Sequence, residues 1–165
     1  MRANNISAMS FLRYLMLLSL VVWLGGLIFF SFVVAPTAFS VLPSRHLAGS
    51  VVSRSLSALH WMGLASGVVF LVTSMLHSRL STGSPHPLAA RHVLILCMLA
   101  LTAISQFGIS PKMATLRAEL GEIDNVPAAN PARVQFNSLH AWSTRLEGGV
   151  FLLGLVVVYL TACSS

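Results

Sequence analysis

The sequence predicts an all-α integral membrane protein, a four-helix bundle that forms one transmembrane domain over residues 1–165. Composition comes first: 56% of the residues are hydrophobic and 8% charged, against roughly 25% charged in ordinary soluble domains. Such a chain cannot furnish a water-facing surface. Spacing is the second observation. Four apolar runs, Phe11 to Ala35, Leu56 to Leu76, His92 to Ile109 and Leu146 to Thr161, approach or exceed the roughly 20 residues that cross a bilayer core. They give spans of about 11–35, 56–76, 91–109 and 141–161. The third observation is physical: backbone amides find no partner in lipid, so each run is expected to be helical.

The first span follows Arg2 and Arg13, which could mimic a secretory signal, but the run is too long for a signal and lacks a cleavage site. It is expected to end at Pro36. Ser44, just after Pro43, can cap a helix that runs through Arg45 and His46 into the second span. His86-Pro87 is expected to start the third helix, since proline is tolerated at the first helical position. Ser110-Pro111 kinks or breaks that helix, and Lys112 to Leu120 reads as a short polar helix stopped by Gly121. Residues 121–130 form a loop, and Asn130-Pro131 begins the last helix.

Charge excludes one class of partner. The net charge of +6 comes from Lys and Arg scattered singly, with no basic run to track a nucleic-acid backbone and no interleaved aromatics to stack bases. No nucleic acid is expected; the partner of these charges is the lipid bilayer and its anionic headgroups. Cys97 and Cys163 belong to no CxxC or His/Cys cluster. Orientation stays open: Arg2, Arg13, Arg79 and Arg91 on one face stand against Arg45, Arg54, Lys112, Arg117 and Arg133 on the other, which is no bias.

Small residues mark the expected helix contacts. Gly63 and Gly67 form a GxxxG, while Gly25 and Gly26 sit in the first span and Gly148 and Gly149 in the fourth, with Gly154 beyond them. Tyr14, Trp61, Trp142 and Tyr159 lie near span ends and read as interfacial anchors.

Comparing halves shows a candidate repeat. Leu59-His60-Trp61 recurs as Leu139-His140-Ala141-Trp142, each after a span that ends at a proline, Pro36 or Pro111. Two repeated helical hairpins or a chance match both account for it. In either case, topology brings His60, His140 and Gln106 to the same face. Asn137, His140, Thr144 and Glu147 fall within about 80° on one side of the fourth helix, at about 100° per residue. Glu147, roughly 9 Å inside the last span, must face the bundle interior and be paired, hydrated or protonated.

Several chemistries compete for these residues. His60 and His140 can bond to loops or headgroups, can converge on a metal ion or haem, or can form a proton path with Gln106 and Glu147. Ser143, His140 and Glu147 supply the groups of a hydrolase but lack a nucleophile elbow and an oxyanion hole. His46, His77, His86 and His92 show no ligand spacing and are expected to be solvated. The Met residues have no MxxM or MxM grouping, so copper handling gains no support.

Trp23-Leu24-Gly25-Gly26, Phe29-Phe30, Val34-Ala35-Pro36, Phe39, Leu42, Ala48-Gly49, Ile109-Ser110-Pro111-Lys112-Met113, Arg117 and Ser138-Leu139-His140 with Ser143 together resemble the bacterial branch of the transmembrane protein 205-like family. The resemblance covers about residues 10–160 and implies a four-span protein of the bacterial inner membrane with no catalytic residues to carry over. A WxGG-like run and an LH pair are also similar to copper-resistance D-type domains and to haem-binding protoporphyrinogen oxidases. Glu147 departs from the pattern, where a neutral polar residue is expected.

The leading expectation is a non-enzymatic membrane protein that handles a small solute or ion through His60, Gln106, His140, Thr144 and Glu147. A haem-binding or redox enzyme using His60 and His140 is the alternative. A third reading is a homo-oligomer or an accessory subunit of a membrane complex that docks through Gly63 and Gly67.

Overall fold

The computed structural model describes residues 2–82 and 90–163, the side chains of residues 2–6, 82 and 124 excepted. Within these residues every long element is helical. The first helix, α1, comprises Arg2–Phe29, a π-helical turn Phe30–Val34 and a final segment Ala35–Val41. Helix α2 is Arg45–Thr82. Helix α3 runs through Ala90–Ala103, a second π-helical turn Ile104–Ile109 and Ser110–Leu120. A short 3-10 turn, Ile123–Asn125, precedes α4, Pro131–Cys163. All four helices are long and apolar enough to cross a membrane, which makes the chain a multi-pass membrane protein.

The bundle hides little of its apolar surface. Its core is a narrow column, with Met16, Leu20, Trp23, Leu24 and Leu27 from α1, Leu59 and Phe70 from α2, Ile95 and Met98 from α3, and Val150 and Val157 from α4. Large side chains such as Phe32, Val72, Leu96 and Leu152 point outward, which is affordable only where the surrounding solvent is itself hydrocarbon. Tyr14, Trp61, Trp142 and Tyr159 are all more than half exposed. Trp61 also meets the ring of Phe107 edge-on, with centroids 5.7 Å apart.

The prolines do not end their helices, contrary to the reading of Pro36 as a terminus. Each lies two residues beyond a π-helical turn, Pro36 after Val34 and Pro111 after Ile109. A proline ring in an α-helix clashes with the carbonyl four residues earlier and leaves it without a donor. The wider turn removes the conflict. Ala35 N–H reaches back to the Phe30 carbonyl, and Ser110 donates both its backbone N–H and its hydroxyl to the Ser105 carbonyl, the latter at 3.0 Å. The same device thus occurs in the first helix of each half, α1 and α3.

Helix ends follow the expected chemistry where they are described. Ser44 Oγ accepts from Leu47 N–H at 3.2 Å, and Asn130 Oδ1 accepts from Ala132 N–H at 2.9 Å. The expected start of α3 at His86-Pro87 lies outside the described residues. Gly121 closes α3 at φ 61, ψ −119, a region in which a Cβ is strained. No neighbour lies within 4 Å of a Cβ at this position, so Gly121→Ala isolates that strain. We expect it to cost about 1–3 kcal/mol, measured as a fall in unfolding midpoint in mild detergent.

The glycines divide into two groups. A Cβ on Gly26 would stand 2.6 Å from Met62 Cε, and one on Gly67 would stand 2.6 Å from Leu99 Cδ2 and 2.9 Å from Trp23 Cζ3. Gly63 lies directly against the Trp23 indole, Gly154 against Leu24, and Gly149 has Leu101 in ordinary contact. Gly25 and Gly148, by contrast, have nothing within 4 Å; they face outward, because their helices turn the neighbouring residues Trp23, Leu24 and Val150 inward. The GxxxG pair is therefore consumed within the chain by Trp23 and Leu99, which corrects its reading as a docking face for another subunit.

Candidate intramembrane polar site

At about 1.5 Å per residue, the 38 residues of α2 are roughly 57 Å long, well beyond a hydrocarbon core of about 30 Å. The bundle therefore projects past the hydrocarbon; His60 and Glu147 lie near the middle of α2 and α4, and the cavity beside them reaches toward the start of α2. Here the two π-helical turns matter. Ser105 and Gln106 lie in the turn of α3 and both contribute side chains to one cluster, while Phe30 and Ser31 lie in the turn of α1 and line the adjoining cavity.

His60 is the centre of the cluster and is 1% exposed. Its Nδ1 lies 2.8 Å from Gln106 Oε1, and its Nε2 lies 2.5 Å from Glu147 Oε1. Gln106 in turn donates from Nε2 to Ser57 Oγ at 2.9 Å, and Ser105 Oγ donates to Glu147 Oε1 at 3.4 Å. As placed, the Gln106 amide nitrogen donates to Ser57 and its oxygen faces Nδ1 of His60, while His60 Nε2 meets the Glu147 carboxylate. A bonded partner of this kind is how a carboxylate is accommodated in a span.

A cavity of about 470 Å³ opens beside the pair. Asn137, His140, Ser143, Thr144 and Glu147 of α4 line one wall, and Phe30, Ser31, Ala35 and Phe39 of α1 another. Helix α2 adds Arg45, His46, Gly49, Val52, Ser53 and Leu56; α3 adds Ser110, Met113 and Arg117. The mouth is held in shape by His46, whose Nδ1–H donates to the Gly121 carbonyl at 2.8 Å, tying the start of α2 to the end of α3. Arg117 lies over the Phe136 ring, 5.4 Å from its centroid, and a Cβ on Gly49 would stand 3.4 Å from its guanidinium.

Of the residues singled out from the sequence, His60, Gln106 and Glu147 are hydrogen-bonded together. His140 and Thr144 line the cavity without joining that network: both are exposed, and Thr144 Oγ1 donates to its own helix at His140 O. The arrangement does not fit a haem or metal centre on His60 and His140. Both ring nitrogens of His60 already serve Gln106 and Glu147, so ligation would break a bond in a 1% exposed site. Among the described residues no group of three His, Cys, Asp or Glu side chains is placed to hold a metal ion.

His92 also departs from expectation. It is 2% exposed rather than solvated, because α3 turns it onto α2, where it bonds with Ser74 Oγ at 2.8 Å. His86 lies outside the described residues. Ser57, Ser105 and Arg117 were missed as site residues. The legible signal for Ser105 was its place in the turn before Pro111, whereas Arg117 read only as a charge outside the membrane.

A family model described as a domain of unknown function, DUF4149, matches residues 18–122. No curated protein and no solved structure matches the chain. The matched residues include His60, Gln106 and Arg117 but stop short of α4, which supplies Glu147 and His140.

Proposed function

The chain belongs to the DUF4149 family, and since that membership assigns no chemistry, we propose from the site itself that this membrane protein takes up a small solute in the cavity beside His60 and Glu147. The observation that carries this reading is that Glu147, 2.5 Å from the buried His60, lines a cavity of about 470 Å³. A carboxylate is costly in a span and is retained where it meets a ligand, ion or proton. The volume falls within the range of about 300–1,000 Å³ typical of small-molecule sites, and the walls combine apolar surface with a few converging polar groups. Because Glu147 lines the cavity and is bonded to a buried imidazole, it can hydrogen-bond to a solute or take part in proton transfer. Membership of the transmembrane protein 205-like family and residence in a bacterial inner membrane belong to this proposal, carried by the motifs around Trp23, Pro36 and Pro111.

The test uses detergent-purified protein and a panel of small organic acids, amines and alcohols, read as shifts in unfolding temperature. We expect at least one compound to raise the midpoint in the native chain and to fail with Ser53→Trp, which fills the cavity from α2. A panel in which no compound acts, or in which stabilisation survives the tryptophan, removes the cavity as a solute site.

A further inference from the structure

Resting on that reading, we propose that the solute is an organic anion, a carboxylate or phosphate monoester on an apolar body, whose charge is met by Arg117. The argument is one of charge balance within the cavity. Its basic lining groups, apart from Arg45, which has an interaction of its own, are His46, Arg117 and His140, and its one acidic lining group among the described residues is Glu147. Glu147 is already bonded to His60, so it is not the partner of Arg117. Helix α1 contributes no titratable group to the lining.

Arg117 is half-buried. Its guanidinium lies over the Phe136 ring and near Gly49, where an added Cβ would stand 3.4 Å away, and among the described residues no carboxylate pairs with it. A guanidinium stacked on an aromatic face keeps its fork of N–H donors for an oxyanion. A cation placed there would meet Arg117 unscreened. An apolar body has Phe30, Phe39, Leu56 and Met113 to lie against.

A second route into the site bears on the source of such an anion. Ser31, Thr144 and Glu147 line both this cavity and an apolar recess of about 220 Å³ between α1 and α4. That recess is flanked by Ile28 and Phe32, which are exposed on the lipid side. The anionic group can therefore belong to a soluble acid entering at the mouth or to a lipid headgroup entering from the bilayer, and the chemistry at Arg117 is the same.

The experiment is calorimetric titration of the protein in phosphatidylcholine nanodiscs with benzoate, phenyl phosphate, benzylammonium and benzyl alcohol, repeated with phosphatidylglycerol in the disc. We expect saturable binding of benzoate or phenyl phosphate and none of benzylammonium. If a lipid headgroup is the resident anion, phosphatidylglycerol will compete with both probes; if the anion is soluble, it will not. Arg117→Gln is expected to weaken anion binding on the order of tenfold to a hundredfold, the worth of a charged hydrogen-bonded contact. Arg117→Lys should restore part of it. Lys112→Gln, the same charge change at an exposed site on α3, should change nothing, which controls for net charge.

Unfolding midpoints of the Arg117 variants separate lost binding from lost fold, and anion binding that survives Arg117→Gln in a folded protein overturns the proposal. Binding of benzylammonium or benzyl alcohol in preference to the anions, abolished by Ser53→Trp, overturns the anion class while leaving the cavity as a solute site. Binding of no probe, with no effect of phosphatidylglycerol on stability, overturns the anion proposal. The cavity reading then stands or falls by the wider panel.

Discussion

Replacing His60 by leucine is expected to destabilise the protein by about 3–5 kcal/mol, the range seen when one partner of a buried pair is removed. The volume changes little, so the loss is polar. Glu147 Oε1 loses its imidazole partner, and Gln106 Oε1 loses its ring-nitrogen partner, at the position of a side chain that is only 1% exposed. The magnitude discriminates between two pictures. Ordinary interhelical hydrogen bonds in membranes average about 0.6 kcal/mol, so a loss near that figure in His60→Leu would show that the pair is a routine bond with no special standing. The double variant carrying Glu147→Leu as well removes both members of the pair and is expected to recover part of the loss, since only Gln106 Oε1 and Ser105 Oγ are then left without these partners. Reversible unfolding in mixed micelles measures the cycle, and additive losses would sink the coupling.

Gly63→Val gives the other large effect. A Cβ at this position falls on the Trp23 indole, 2.8 Å from Cε2 and 3.0 Å from Cδ1. Trp23 is itself 2% exposed and packed into the central column, so it has nowhere to go. Overpacking of this kind costs about 1–3 kcal/mol and occasionally more, and valine, branched at Cβ, should lie at or above the upper end. Gly25→Val is the matched control. It adds the same atoms two residues from Trp23, but on the outward face where nothing lies within 4 Å, and it should leave the unfolding midpoint close to native. Equal losses in the two variants would mean that helix propensity, rather than the α1–α2 contact, sets the response.

These two positions also show where sequence reading runs out. GxxxG at Gly63 and Gly67 announces close packing, but it does not say against what. The same letters suit a contact with another chain, and only the placement of Trp23 and Leu99 shows the contact to be internal. Gly25 and Gly26 are adjacent and equally small, yet a helix turns about 100° per residue, so one meets Met62 and Leu59 and the other meets nothing. Because proline removes a hydrogen bond, Pro36 reads as a helix end and Pro111 as a kink or break. The turns Phe30–Val34 and Ile104–Ile109 absorb that loss instead, and the helices continue.

The polar site divides the same way. The stripe Asn137, His140, Thr144 and Glu147 could be drawn on α4 from periodicity alone, and all four line one cavity. Which of them bonds to His60 depended on the rotation of α2 and α3 about their axes, and that rotation singled out Glu147 while leaving His140 and Thr144 on the exposed wall.

By itself the sequence determined that this is a membrane bundle of four helices and that a carboxylate lies inside it. Those properties follow from composition and run length, because lipid as solvent forces helices and forbids charges wherever they stand in the chain. Tertiary structure alone decided that His60 bonds to Glu147 and that Arg117 lines the cavity with no carboxylate paired to it among the described residues. Both outcomes depend on the phase of one helix against another, set by the widened turns before two prolines and by which glycines admit Trp23, and a one-dimensional pattern carries no such phase.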